Sequence, residues 1–209
     1  MLYLPFWEGV GTFAEDISPY RNHGAITGAT WVDGVIGKAL SFNGISDYVK
    51  VTNTPSLAVG TGFAMSAWVK PTSFAALGFI FGKRNGPDTD QMYVLSYPSG
   101  GSTTDIECRF AAEGSYYDIS PLPHITLNEW NHIVFVKDGL FTRCYVNSIV
   151  SANKAISGSL INSTDYYIGI QNASIYPFAG IVDEVYFVNR APTPSEVWEA
   201  YYRGARKNY

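Results

Sequence analysis

The chain is 209 residues long, 46% of them hydrophobic and 15% aromatic, with a formal net charge of −4. That length fits one large β domain or two small ones, and Tyr 15, Phe 12 and Trp 5 can furnish a sizeable core. The negative charge argues against a nucleic-acid phosphate footprint, no apolar run is long enough for membrane insertion, and no basic segment before an apolar stretch marks a signal peptide.

Leu2 to Phe6 reads as the first strand, with Leu2, Leu4 and Phe6 on one face and Pro5 denying the ladder one donor. Residues 16–24 are a loop of turn formers in which Asn22 and Gly24 can take positive φ and His23 is read as fixing neighbouring carbonyls. Residues 35–51 read as two short strands about Asn43-Gly44, a strong hairpin signal. Gly62 to Pro71 is a strand with Phe63, Met65, Ala67 and Val69 on one side and Trp68 on the other. Further strands are expected over residues 77–84, 92–97, 106–111, 132–137, 142–149 and 166–170, with the Pro, Gly, Ser, Asp and Asn residues in the connectors. The last strand, over residues 178–190, alternates Ile181, Asp183, Val185 and Phe187 on one face. Asp183 is a carboxylate in phase with three apolar side chains, so burial there demands a partner. Ser195 is then placed to cap a short helix that docks through Val197, Trp198 and Tyr201.

Short strands at roughly ten-residue spacing, with no helical pattern before Pro194, predict an all-β fold. The expectation is one antiparallel two-sheet β-sandwich over 1–209, closed by one short C-terminal helix. Cys108 and Cys144 are too few for a disulfide framework and read as buried free thiols. A bridge would need neighbouring strands with facing Cβ atoms. No Cys-x-x-Cys or His-x-x-x-His spacing offers a zinc site.

The order of motifs resembles a laminin-G-like jelly roll of the concanavalin A-like class. The resemblance rests on residues 2–9, 22–24, 31–34 and 37–49 at the start and 66–71, 130–139 and 145–147 in the middle. At the end it rests on Gly180-Ile181-Val182-Asp183-Glu184-Val185, Asn189-Arg190-Ala191 and the Ser-Glu start of the helix. It covers nearly the whole chain and speaks for fold, since the same fold carries lectins, hydrolases and adhesion modules. It implies a structural calcium held by Asp183 on the last long strand, the Gly44 carbonyl in an early turn and a carbonyl near residues 6–8, with Glu8 and Asp16 as further donors. Hydrolases of glycoside family 16 use a Glu-x-Asp-x-Glu strand, and the nearest run here, residues 103–107, has Thr103 in the nucleophile's place before Asp105 and Glu107. A retaining glycosidase needs two carboxyl groups about 5 Å apart, so that run implies no catalysis. Pentraxin-type lectins carry an acidic loop before the last strand, and residues 171–177 hold no carboxylate.

Sugars present apolar C–H faces and hydroxyl rims, which aromatic rings and side chains such as Asn, Gln, Asp and Arg recognise. The loops offer that mixture in Arg84, Asp88, Asp90, Tyr97, Tyr116, Tyr117, Gln171, Asn172 and Tyr176, and Tyr93, Tyr145 and Tyr167 are candidates for an added platform. The sequence therefore reads as a non-catalytic carbohydrate-binding, lectin-like module with a structural calcium. Its partner would be a glycan or cell-surface polysaccharide and its setting extracellular or a particle surface. The alternative is a structural or adhesion domain of a virion or cell-surface protein that binds protein or caps an assembly, and the third reading is a degenerate family-16-like glycosidase.

Overall fold

The computed structural model describes residues 1–73, 77–84, 91–98, 103–112, 115–118, 124–155, 164–173 and 175–206; at 91, 97–98, 103–104, 111–112, 115–118 and 151–152 the description is of the backbone alone. Six short strands come first: β1 (Leu2–Leu4), β2 (Phe13–Ala14), β3 (Gly24–Thr27), β4 (Thr30–Asp33), β5 (Lys38–Asn43) and β6 (Tyr48–Val51). The middle holds the longer ones: β7 (Gly62–Pro71), β8 (Gly78–Lys83), β9 (Gln91–Pro98), β10 (Thr103–Ala112), β11 (Ser115–Asp118), β12 (His124–Thr126) and β13 (Asn131–Asp138). Then follow β14 (Phe141–Val146), β15 (Ile149–Ala155), β16 (Tyr166–Ile168), β17 (Ala179–Val188) and the helix α1 (Pro194–Ala205).

These form two antiparallel sheets. The first runs β15-β14-β13-β7-β17-β5-β4, with β1 also paired to β17. The second runs β11-β10-β9-β8-β16-β6-β3-β2, with β12 paired to β10. Inward residues of both, among them Leu4, Leu40, Met65, Val69 and Val185 from one and Val49, Phe81, Val94, Ile106 and Ile168 from the other, merge into one core. The antiparallel sandwich read from the sequence is what forms. No helix among the described residues is long and apolar enough to cross a membrane.

Three local expectations change. Asn43-Gly44 is not a hairpin turn: β5 pairs in the first sheet and β6 in the second, so the turn carries the chain between layers. Asn43 Oδ1 accepts the Ile45 and Ser46 amides at 2.8 and 3.0 Å, which satisfies a tight turn whatever the flanking strands pair with. The helix is capped by Thr193, not Ser195, because Pro194 disfavours a helical conformation at Thr193 while Glu196 answers it from three residues on. Thr193 Oγ1 accepts the Glu196 amide at 3.3 Å and Glu196 Oε2 accepts the Thr193 amide at 2.8 Å. Trp198, expected in the docking stripe, is half exposed and stacks on Tyr202 with ring centres 4.6 Å apart. Tyr201 stacks on Trp68 instead, at 5.6 Å, and Gly204 lies so close that a Cβ there would stand 2.5 Å from the indole.

The first strand is tied down by Asp16. Its buried carboxylate accepts the amides of Tyr3 (2.9 Å), Ser18 (2.9 Å) and Asn22 (2.7 Å) and the Ser18 hydroxyl (2.8 Å). His23 Nδ1 accepts the Asp16 amide at 3.1 Å, so it holds the loop through an amide rather than a carbonyl. Cys108 on β10 and Cys144 on β14 are free and fully buried in opposite sheets. Burial pushes the Cys108 thiol well above its ordinary range, and the adjacent Cys144 thiol adds to the shift.

Asp16→Ala strips the acceptor from three backbone amides and should destabilise the fold by about 3 kcal/mol in urea titration, the scale of charge-assisted bonds lost in a buried site; a loss within experimental error would show that loop not to be the anchor. Both thiols should resist an aromatic disulfide reagent in the folded protein and react fully once it is unfolded.

Candidate functional site

The residues expected to share a calcium are held in separate places. β17 and β7 lose register between Asp183 and Tyr186, and Glu184 has φ 51°. This bulge resets the alternation. Val182 precedes it in the core and Val185 and Phe187 follow it there, so Ile181 and Asp183 lie on the opposite face, not in phase with them. Asp183 is fully buried beneath the turn before β5: Oδ2 accepts the Ile36 amide at 3.1 Å and Oδ1 the Glu184 amide at 2.8 Å. Gly34 presses on it so closely that a Cβ would fall 2.4 Å from Oδ2.

Gly44 is elsewhere. Asn43 pairs with Ala179 and Leu40 with Val182, which sets Gly44 more than about 13 Å along the sheet from Asp183. Asp16 has both oxygens committed to the loop of the first strand, and Glu8 Oε1 accepts the Glu15 amide. Calcium requires six to eight oxygens about one centre. Asp183, Gly44, Glu8 and Asp16 do not converge and do not fit one shell; among the described residues no three His, Cys, Asp or Glu side chains gather as a metal site.

Part of the residue set expected to recognise a sugar comes together on the outward face of the second sheet. Core positions Val49, Met92, Val94, Cys108, Phe110, Tyr166 and Ile168 turn their strand neighbours outward. Register then lays Arg109, Tyr93, Gly82, Tyr167 and Lys50 side by side across five strands. The Arg84 guanidinium carbon stands 5.1 Å from the centre of the Tyr93 ring and 5.5 Å from that of Tyr176, and its Nη1 donates to Gln171 Oε1 at 2.6 Å. Gln171 is itself buried, and its reciprocal backbone bonds with Ile175 (2.8 and 3.1 Å) close the turn that presents Tyr176. Asn172 is exposed in that turn with φ 49°. Arg109 lies 5.7 Å from the Tyr93 ring and pairs with Glu107 at 2.8 Å. Lys50 pairs with Asp165 at 2.9 Å, Asp105 with His124 at 2.5 Å, and Tyr48 meets Tyr167 with ring centres 6.0 Å apart. Phe79, Tyr93 and Leu95 form an apolar floor on which the half-buried Tyr167 and Tyr176 pack. Burial pushes the Tyr93 hydroxyl up to about 12, so it stays protonated.

Of the predicted ligand-binding residues, Arg84, Gln171, Asn172 and Tyr176 therefore form one group. The backbone places Tyr97 opposite Asp105, Tyr116 opposite Ala111 and Tyr117 opposite Phe110 in the same sheet. Their side chains, and Asp88 and Asp90 altogether, lie outside the described residues. Tyr145 belongs to the other sheet, packed with Val134 and Val136, and cannot join Tyr93 and Tyr167. Tyr48, Lys50, Arg109 and Asp165 join the face without having been singled out in the sequence; the signal for the first three was strand parity alone.

On the far face, α1 covers a cleft of about 330 Å³ lined by Tyr3, Ser66, His132, Glu184 and Arg203 among others. Glu184 accepts the Tyr3 hydroxyl at 2.5 Å and the Trp7 indole N–H at 3.2 Å.

A two-layer antiparallel sandwich with an aromatic and charged platform on one outer face defines a jelly roll of the lectin-like class. The chain belongs to the laminin-G-type family of the concanavalin A-like lectin/glucanase superfamily, whose family model matches residues 43–198. No curated protein sequence matches it. Among solved structures it is similar to domain 4 of AbnA, a GH43 extracellular arabinanase from Geobacillus stearothermophilus in complex with arabinotriose, with TM-score 0.76 and 22% identity over 95% of this chain and 96% of that one. The binding domain of Paraclostridial Mosquitocidal Protein 1 follows at TM-score 0.74 and 18% identity, over 96% of this chain and 51% of that one. The botulinum neurotoxin serotype G binding domain gives 0.72 and 14%, over 97% and 50%. The chain thus spans about half of each toxin chain. At these identities the likeness is one of fold.

Two buried titrating groups on the first sheet oppose each other. Burial raises the Asp183 carboxyl to about 7, the Ile36 amide pulling the other way, and burial lowers the His132 imidazole to about 3. The raised carboxyl contributes stability that is lost as pH rises from about 4 to 7, because the folded state holds the extra proton. The depressed imidazole contributes stability that is lost as pH falls below about 6.5, because only the unfolded state takes the proton. Between about pH 4 and 6.5 the two slopes cancel. Asp183→Asn should therefore make stability rise with pH across that window, by roughly 1.4 kcal/mol per unit at most, and His132→Gln should make it fall. Equilibrium denaturation at several pH values reads both; parallel profiles for the wild type and both variants would refute the assignment.

Proposed function

We propose that this chain is a non-catalytic carbohydrate-binding module that holds a glycan across the outward face of the second sheet. The observation that carries the reading is the Tyr176–Arg84–Tyr93 stack tethered to Gln171, continued along one cross-strand row to Tyr167 and Lys50. Half-buried rings beside guanidinium and amide groups are what a sugar's C–H face and hydroxyl rim require. The family, which includes lectins by its description, supports the reading. So does the arabinanase domain, a neighbour that this chain covers almost end to end and that is in complex with arabinotriose. A carbohydrate partner implies an extracellular or particle-surface setting.

Catalysis finds less support on the same face. Asp105 and Glu107, the carboxylates nearest to a hydrolase pattern, are engaged by His124 and Arg109, and Thr103 occupies the nucleophile position. A retaining mechanism leaves one carboxylate free to attack and one free to protonate. Laminarin and mixed-linkage glucans should stay uncut in a reducing-sugar assay. Sugar release abolished by Glu107→Gln would instead make the protein a glycosidase.

A glycan array followed by calorimetry on the best ligand tests binding. Tyr176→Ala and Tyr167→Ala should each weaken it by about 1 kcal/mol, the worth of an aromatic contact beyond its buried area, with little change in melting temperature. Unchanged affinity in both variants would move the glycan off this face. An array without hits, together with capture of a surface protein, would favour the adhesion reading.

A further inference from the structure

Among the described residues of the platform, one cation has no counter-charge beside it. Arg109 is answered by Glu107, Lys50 by Asp165 and Asp105 by His124. Among the described residues Arg84 is answered by neutral groups: the amide oxygen of Gln171 and the faces of two tyrosine rings. Its Nε is shut off from water and has no hydrogen-bond partner, and among the described residues no carboxylate pairs with its guanidinium. Gln171 cannot relieve this, since it brings a dipole and no charge. The residue is partly exposed, so its charge can still be reached from outside.

A guanidinium held this way is fixed before any ligand arrives. The two rings limit its rotation, and the bond to Gln171 sets which edge is engaged. What remains unmet is negative charge with oxygen acceptors. A carboxylate or sulfate oxyanion supplies both, and guanidinium matches such groups with paired N–H donors. Neutral hydroxyls would leave the charge uncompensated in a partly desolvated place.

We propose that the glycan recognised on this face is acidic, and that Arg84 is the residue that selects its oxyanion, with Tyr176 and Tyr167 receiving the sugar rings on either side. This deepens the carbohydrate-binding reading above and depends on it. It makes Arg84 a specificity determinant: the aromatic contacts serve neutral and acidic sugars alike, and the uncompensated cation separates them.

The test uses the intact chain and three probes of similar length: an oligogalacturonate for the carboxylate, a heparin-derived oligosaccharide for the sulfate, and arabinotriose as the neutral comparison. At least one acidic probe should bind more tightly than arabinotriose. That preference should shrink as salt is raised, because an exposed ion pair is screened. Arg84→Met should weaken the acidic probe roughly tenfold to a hundredfold more than it weakens the neutral probe, the range of a charged hydrogen bond. Arg84→Lys keeps the charge but not the fork, and should retain part of the preference. It also guards against misfolding in Arg84→Met, as does an unchanged melting curve. The two acidic arms identify which oxyanion is read. Neutral and acidic probes bound equally well, with Arg84→Met affecting both alike, would overturn acidic selection while leaving a carbohydrate site in place. No binding of any probe, here and on the glycan array, would overturn both.

Discussion

The fold turns on one buried carboxylate beside one misfit in a strand. At Asp183 the long strand β17 changes its partner on one edge, from β5 up to Val182↔Leu40 to β1 from Val185↔Leu4, while β7 runs along the other edge. All three neighbours run antiparallel to β17, but its core positions opposite Leu40 and Leu4, Val182 and Val185, are three residues apart, out of phase for a regular strand. The bulge at Asp183 and Glu184 absorbs the difference, and the amides of Ile36 and Glu184 give the displaced carboxylate its acceptor role. Burial raises its proton affinity, and Gly34 is the residue small enough to pass over it. Strand order in the first sheet, the placing of the first strand and the closure of the turn before β5 all depend on that arrangement.

The opposite face is organised by charge. There Lys50 pairs with Asp165, Arg109 with Glu107 and the His124 imidazole with Asp105, contacts each worth little in water but together fixing side chains around an apolar floor of Phe79, Tyr93 and Leu95. The floor is unusual for an outer face, because sheets normally turn polar residues to water there. It is buried, with Tyr167 and Tyr176 packed on it and Arg84 stacked on Tyr93, and those three partly exposed side chains form the amphipathic surface above it.

Much of this is legible in the sequence, and the failures have physical causes. Alternation marks the long strands because their inward residues are apolar on every second position, as in β7. It fails at Asp183, where a bulge adds a residue that no periodicity announces, and so a carboxylate on the outer side reads as lying among Val185 and Phe187. Asn43-Gly44 signals a turn correctly but not which sheets it joins, since a tight turn satisfies its own backbone locally. Ser195 loses the cap to Thr193 because the capping box is a relation between two residues, Thr193 and Glu196, and not a property of one. The loop residues Arg84, Gln171 and Tyr176 are recognisable from their chemistry, whereas Arg109 and Lys50 become part of the site only through a register that spans residues 50 to 167.

The partner exchange along β17 also bears on how the chain assembles. β1 has no strand neighbour until residues 185–187 are in place, and β5 and β7 are joined only through the same late strand. During synthesis the first sheet must therefore wait for nearly the whole chain, with the edges of β5 and β7 unpaired in the meantime. Contacts of such sequence separation make folding slow, and waiting edges are where unfinished chains associate. Loss of a short C-terminal stretch that included β17 would leave two half-sheets and a loose first strand rather than a slightly smaller sandwich.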